Sequence, residues 1–267
     1  MSYKVGFIGA GNMGSAIMKG IVGSTMNSEV ELYAYDSFEA AEDRAKSIGA
    51  TGLGSEAELT AACDIVFLAI KPQQLDEVLA KIKGEVTKDK VIVSICAGVT
   101  DDNIASKTIE GAKVVMVMPN TPLLLGEGAT ALAKSDSVTD EEFALVCRIF
   151  GSCGIYSVLP KDKMKEVIAI NGSSPAFIYL YAQCFIDYAK SVGIDEKAAT
   201  DLFAKSLIGS AKMITDSGKT LDELITMVSS KGGTTIAGLE KLRANNIEKA
   251  VKECCEACTN RAYELAK

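Results

Sequence analysis

A glycine-rich turn near the N-terminus constrains this chain more than any other feature. Gly9-Ala10-Gly11-Asn12-Met13-Gly14 follows an apolar β-rich run, Lys4–Ile8, and leads into a helical pattern over Asn12–Ile21. A G-x-G-x-x-G placed between strand and helix marks the first turn of a βαβ unit. The first glycine permits the tight turn, the second lets backbone approach a pyrophosphate, and the third lets helix and strand pack closely. The helix N-terminus adds unpaired N–H groups and the positive end of a dipole, which suits phosphate. Residues Ile8, Gly9, Ala10, Gly11, Asn12, Met13 and Gly14 are therefore expected to hold a dinucleotide.

The rest of the first half continues the alternation. Strand candidates are Glu29–Tyr35, Asp64–Ile70, Lys90–Cys96 and Lys113–Met118, with helical spacing over Phe38–Ile48 and Gln73–Ile82 between them. Near-continuous apolar strands joined by helices imply a mostly parallel, doubly wound sheet covered on both faces. After about Lys161 strand signals stop, and 174–191, 195–215, 220–228, 234–245 and 246–266 read as helices. The acidic excess of the chain lies within residues 1–160, and 161–267 are close to neutral. The expected organisation is an α/β Rossmann domain over 1–160 and an all-α domain over 161–267.

Composition removes several classes of function. The chain of 267 residues contains no histidine, which excludes imidazole as a base, metal ligand or pH switch. A net charge of −7 argues against sequence-independent nucleic-acid binding. No apolar run is long enough for a membrane span and no signal peptide is recognisable, so a cytoplasmic protein is expected. Eight cysteines in that setting do not imply a disulfide framework. Cys254, Cys255 and Cys258 invite a metal reading, but Ile247, Val251, Cys254, Cys258 and Leu265 recur at helical spacing. They read as a buried stripe, and no metal is expected.

The loops at the C-terminal strand ends should form the ligand crevice. Asp36 ends the second predicted strand, about 20 residues past Gly14, where a carboxylate accepts ribose hydroxyls and repels a 2′-phosphate. That favours NADH, although Asp36 also suits the cap of the following helix. Ala69-Ile70-Lys71-Pro72 ends another strand; Pro72 fits a first helical turn, and Lys71 is either a cofactor ligand or a solvated lysine. Ala97 and Gly98 are small enough for a nicotinamide to lie against backbone, and Asn120 offers both a donor and an acceptor.

Two stretches in the helical half stand out. In Asn171-Gly172-Ser173-Ser174-Pro175-Ala176, Ser174 suits an N-cap and Pro175 the first helical position. In Ser229-Ser230-Lys231-Gly232-Gly233-Thr234-Thr235, hydroxyls and glycine N–H groups gather ahead of a helix. Such a loop suits a small carboxylate, or else an elaborate N-cap between helices.

With these motifs the sequence resembles the Δ1-pyrroline-5-carboxylate reductase family along essentially its whole length. The resemblance rests on Gly6 to Gly14, Ala69 to Pro72, Asn120-Thr121-Pro122, Gly172 to Ala176 and above all Ser229 to Thr235. It implies an NADPH- or NADH-dependent oxidoreductase that reduces the cyclic imine pyrroline-5-carboxylate to L-proline. It also implies an interleaved homodimer, often assembled into decamers, with active sites at the dimer interface. Carried over by position, Ala69, Ile70, Lys71 and Pro72 bind the dinucleotide, with Cys96 and Ala97 beside the nicotinamide. Ser230, Gly232, Gly233, Thr234 and Thr235 hold the substrate, Thr235 nearest its ring nitrogen and thus the catalytic candidate.

Four positions depart from the family pattern. Lys231 stands where members commonly have Pro, Ser174 where a Gly is common, and Asp36 and Glu56 are carboxylates where neutral residues are frequent. Two other readings compete. A β-hydroxyacid dehydrogenase shares the two-domain plan but needs a base, usually a lysine; after Pro175 none appears until Lys190. A non-catalytic NAD(H) sensor would not need the Ser229–Thr235 loop.

Overall fold

A computed structural model of the chain describes residues 2–265. The chain divides into two compact units, 1–175 with 257–267, and 176–256. The first unit is built on one eight-stranded sheet: β1 Tyr3–Ile8, β2 Val30–Tyr35, β3 Thr51–Gly52, β4 Ile65–Leu68, β5 Val91–Ser94, β6 Lys113–Met118, β7 Gly128–Lys134 and β8 Gly154–Val158. The spatial order is β3-β2-β1-β4-β5-β6-β7-β8, and only the β6–β7 pair is antiparallel. Because the chain moves outward from β1 to β3 and then returns to β4, the order reverses beside β1. Loops leaving β1 and β4 diverge there, and that opens a crevice at their C-terminal ends.

Six helices follow or separate these strands: α1 Asn12–Val22, α2 Glu39–Ile48, α3 Glu56–Ala62, α4 Leu75–Ile82, α5 Asp101–Lys107 and α6 Asp140–Gly151. Both faces of the sheet are sealed. Phe7, Ile17, Phe67 and Phe150 lie in the core on one face; Ile8, Leu68, Leu79 and Ile92 lie in the core on the other. Phe7 and Phe67 are direct neighbours in the β1–β4 register, and their rings stack at 4.5 Å between centroids.

The five strands expected from β-branched runs are present within one or two residues of their predicted ends. Three more, β3, β7 and β8, were not expected. β3 is only two residues long, β7 is rich in alanine, and β8 is an edge strand whose Ile155 and Val158 are exposed. Three helices, α3, α5 and α6, join the expected ones. The first two are seven residues long, and all three are started by an N-cap: Ser55, Thr100 and Thr139 accept from backbone N–H groups of Glu58, Asn103 and Glu142.

The remaining helices are α7 Ser174–Ser191, α8 Glu196–Asp216, α9 Leu221–Met227, α10 Thr234–Ala244 and α11 Ile247–Leu265. All five match the expected segments closely. One turn of π-helix, Ile168–Gly172, precedes α7. The Ser174 hydroxyl donates to the Asn171 carbonyl at 3.4 Å rather than accepting as a cap. Among the described non-glycine residues only Asn246 has a positive φ, so Ser174 carries no left-handed backbone role. Within the second unit, Phe185 and Phe203 stack at 4.5 Å and join α7 to α8. Ile247, Cys254 and Cys258 lie half-buried on α11, while Val251 is exposed. The side chain of Leu265 falls outside the described residues.

Candidate active site

A cleft of about 630 Å³ lies at the C-terminal edge of the sheet, within the first unit. Gly9 leaves β1 with φ +98°, and a Cβ there would stand 2.4 Å from the carbonyl oxygen of Ala69. A Cβ on Gly14 would stand 2.4 Å from the carbonyl oxygen of Gly9, so α1 packs on the strand only without a side chain. Nothing lies within 4 Å of the corresponding point on Gly11, which lines the cleft and leaves open backbone for a ligand. Gly11 caps α1 without any side-chain hydrogen bond, so the first N–H groups of α1 remain unpaired.

The loop between these glycines is held from both sides. The Ala10 N–H donates to Asp36 Oδ2 at 2.7 Å, and the Ala10 carbonyl accepts from the Ser15 hydroxyl at 2.7 Å. The other Asp36 oxygen accepts from the Phe38 N–H at 2.9 Å. Asp36 therefore both pins the loop and caps the start of α2, and it also lines the cleft. A carboxylate offers about four acceptor sites, so two remain for ribose hydroxyls.

Of the expected cofactor residues, Ile8, Gly9, Gly11, Met13, Asp36, Ala69, Ile70, Lys71, Ala97 and Asn120 line this cleft. Ala10, Asn12, Gly14, Pro72 and Cys96 do not. Ala10 and Gly14 shape it from behind, whereas Asn12 accepts from Arg44 at 3.4 Å outside it. Cys96 is buried against a second, smaller cavity and its thiol donates to the Ile70 carbonyl at 3.4 Å. Burial pushes that thiol above its ordinary range, so it is a packing residue rather than a nucleophile.

Glu56 lines the cleft near Asp36 and is nearly buried, paired with Lys81 at 3.0 Å. Hydrogen bonds from the ammonium to Glu77 and Glu56 raise the Lys81 pKa. Ala97, Met118–Thr121 and a wall of Ile168, Gly172 and Ser173 also line the cleft. Asn120 is buried with Oδ1 accepting from the Ala129 N–H at 2.9 Å. Ser15, Gln74 and Ile168 escaped sequence reasoning, and Asn171 was read only as part of a loop. Gln74 accepts from the Lys71 N–H at 3.2 Å, an i to i+3 spacing visible in sequence; the others have no local signature.

The Ser229–Thr235 loop belongs to the second unit. The Gly233 N–H donates to the Ser230 carbonyl at 2.9 Å, which closes a β-turn with Gly232 at φ +72°. Gly233 then caps α10 without a side-chain bond, leaving the first N–H groups of that helix unpaired. The hydroxyls of Ser230, Thr234 and Thr235 accept and donate no hydrogen bond among the described residues. The Ser229 hydroxyl is buried with no partner there either. This loop is therefore a concentration of unused donors, which suits a small anion.

Sheet order, glycine geometry and an acid lining the cleft just past β2 define a dinucleotide-binding protein of the Rossmann class. Comparison with known proteins agrees. Residues 4–98 match the family described as NADP oxidoreductase, coenzyme F420-dependent, and residues 161–265 match pyrroline-5-carboxylate reductase dimerisation. The pyrroline-5-carboxylate reductase of Methanosarcina acetivorans is 35% identical over 99% of this chain and 98% of its own. That of Escherichia coli is 34% identical over 100% of both. The crystal structure of Plasmodium falciparum pyrroline carboxylate reductase with NADP bound superposes with a TM-score of 0.88 at 29% identity, covering 99% of this chain and 98% of that one. The chain belongs to the pyrroline-5-carboxylate reductase family.

Proposed function

We propose that this chain reduces pyrroline-5-carboxylate to L-proline with NADH as the preferred cofactor. The observation that carries the reading is the presence, in one chain, of a dinucleotide cleft and an uncapped, hydroxyl-rich helix start. When bound in the cleft, the reduced nicotinamide supplies a hydride to the imine carbon C5. The residues of the chain do the remainder. N–H groups and hydroxyls of Ser230, Gly232, Gly233, Thr234 and Thr235 hold the substrate carboxylate and fix the ring. The Thr235 hydroxyl donates to the ring nitrogen as it becomes an amine; an ordered water is the rival proton source. An imine needs no strong base, which fits a chain without histidine.

NADH preference rests on Asp36 and Glu56. A 2′-phosphate at the adenosine end would face both carboxylates, only one of them paired with a lysine. We further propose that residues 161–267 form the dimerisation and substrate-binding part, that two copies complete each active site, and that dimers assemble into decamers. The dimerisation family match supports the first step of that assembly. Among the described residues no helix is long and apolar enough to cross a membrane. A cytoplasmic location suits Cys63, Cys96, Cys147 and Cys153, buried thiols that form no disulfide among the described residues.

Initial rates with pyrroline-5-carboxylate, using NADH and NADPH in parallel, test this. Turnover with higher kcat/KM for NADH is expected. Preference for NADPH would overturn the role given to Asp36, and no turnover in protein that binds NADH would overturn the reaction. Thr235→Ala is expected to lower kcat/KM about 10- to 100-fold, the loss of one positioned donor. Unchanged kinetics would leave the proton to water.

A further inference from the structure

Two asparagines grip the backbone of a single residue, Ala129. Ala129, in β7, donates its N–H to Asn120 Oδ1 at 2.9 Å. Its carbonyl accepts from Asn171 Nδ2 at 3.1 Å, and the same nitrogen donates to the carbonyl of Met118, the last residue of β6, at 2.7 Å. Two carbonyls on one side leave no choice of amide orientation, because only the NH2 group can face them. Asn171 Oδ1 is buried with no partner among the described residues, an arrangement that costs free energy unless the two donated bonds are needed.

The setting is also unusual. Asn171 lies in a π-helical turn, Ile168–Gly172, a geometry frequent at functional sites. Its neighbours Ile168, Gly172 and Ser173 line the cleft although Asn171 itself does not. Asn120 lines the cleft too, and Ala129 occupies its oxygen. Its NH2 group, with no partner among the described residues, is what remains for a ligand.

We propose that Asn171 is a positioning residue for the nicotinamide. Through the backbone of Ala129 it sets the Asn120 amide, and through Met118 it holds the Ile168–Ser173 wall against the sheet edge. This rests on reading the cleft as the dinucleotide site. The relevant class of ligand atom is a carboxamide oxygen, which accepts from the Asn120 NH2 group.

A double-mutant cycle tests the link. Asn120→Ala and Asn171→Ala are each expected to lower kcat about 10- to 30-fold, with the Kd for NADH, read from its fluorescence, within about 3-fold of the parent. The double variant should fall no more than about 2-fold below Asn120→Ala alone, because one acts through the other. Multiplying losses, or NADH binding lost in step with kcat, would overturn the proposal. Should Asn171→Ala fail to fold, Asn171→Asp gives an independent reading. Ionised, it faces two carbonyls without a proton; protonated, it donates to one. Its kcat relative to the parent is expected to rise as pH falls from about 8 to about 6, and a flat ratio would overturn the proposal. If the parent binds NADH yet does not reduce pyrroline-5-carboxylate, the same cycle read on the emission of bound NADH still decides the link. Failure of the parent to bind any dinucleotide overturns the cleft reading and this proposal together.

Discussion

The two units of this molecule handle apolar surface in opposite ways. In the first, both faces of the sheet are covered: Phe7, Phe67, Phe150, Ile17, Leu79 and Ile82 are buried to completion. In the second, buried side chains are few and small, Ala189 and Ala199 among them, while Leu180, Tyr188, Leu202 and Val228 are each exposed by two-thirds or more. Burial of a large apolar side chain is worth roughly 1.5–3 kcal/mol, and the helical unit forgoes it as a single chain. A Rossmann unit closes its own core because helices cover a sheet from both sides. A set of helices that leaves large apolar side chains exposed needs another apolar surface. The difference teaches where self-association enters: on the helical unit, whose apolar surface a single chain leaves uncovered.

The comparison breaks most visibly at its two extremes. Phe67→Ala removes a ring stacked on Phe7 and within 6.0 Å of Phe150. A loss of about 3–5 kcal/mol in unfolding free energy is expected from urea titration. A loss below about 1 kcal/mol would show that this core is not the sealed one described. On the other unit, Leu180→Asp with Leu202→Asp changes only exposed positions, and in an isolated chain it would cost little. Instead, dissociation in sedimentation and a fall in kcat/KM beyond about 100-fold are expected, with NADH binding retained. An intact assembly with parental turnover would move the self-association surface elsewhere.

A smaller effect separates the units by function. Asp36→Asn keeps an oxygen for one of its two backbone donors but removes the charge. The ratio of kcat/KM for NADPH over NADH is expected to rise about 10-fold, or roughly 1.4 kcal/mol, as a charge-assisted acceptor and a repulsive charge disappear together. Affinity for pyrroline-5-carboxylate should stay unchanged, because the acid belongs to the cofactor unit alone. A shift in substrate KM without a shift in cofactor ratio would contradict that division.

What could be read from sequence follows from how local each determinant is. The turn at Gly9 to Gly14 was legible because each glycine answers to backbone geometry a few residues away. The helices from Ser174 to Leu265 were legible from their 3.6-residue spacing, and the central strands from runs of Val and Ile. β7 was not, because Ala129 to Ala133 has little β-propensity and pairs only because β6 and β8 flank it. α6 carried an overlooked signal, the capping box of Thr139 and Glu142. Asn171 was singled out only as part of a loop, since its partners Met118 and Ala129 lie more than 40 residues away. The exposed apolar faces of α7 and α8 looked alike in sequence whether they served an internal core or a partner.

The smallest expected effect concerns the Ser229–Thr235 loop, proposed above to hold the substrate carboxylate. Lys231 is the second residue of the turn closed by Ser230 and Gly233, with Gly232 third at φ +72°. A positive φ at the third position is the mark of a type II turn, whose second position accepts proline readily. Lys231 is exposed and forms no ion pair among the described residues, so little is lost by replacing it. Lys231→Pro is expected to raise stability by about 0.4–1 kcal/mol, by restricting the unfolded chain rather than adding a contact. A melting temperature raised by a few degrees, with kcat unchanged and KM for pyrroline-5-carboxylate equal or lower, would sharpen the contrast between the units. It would show that the helical unit gains order from its backbone as well as from a partner. A rise in substrate KM would instead assign the lysine ammonium to the carboxylate site.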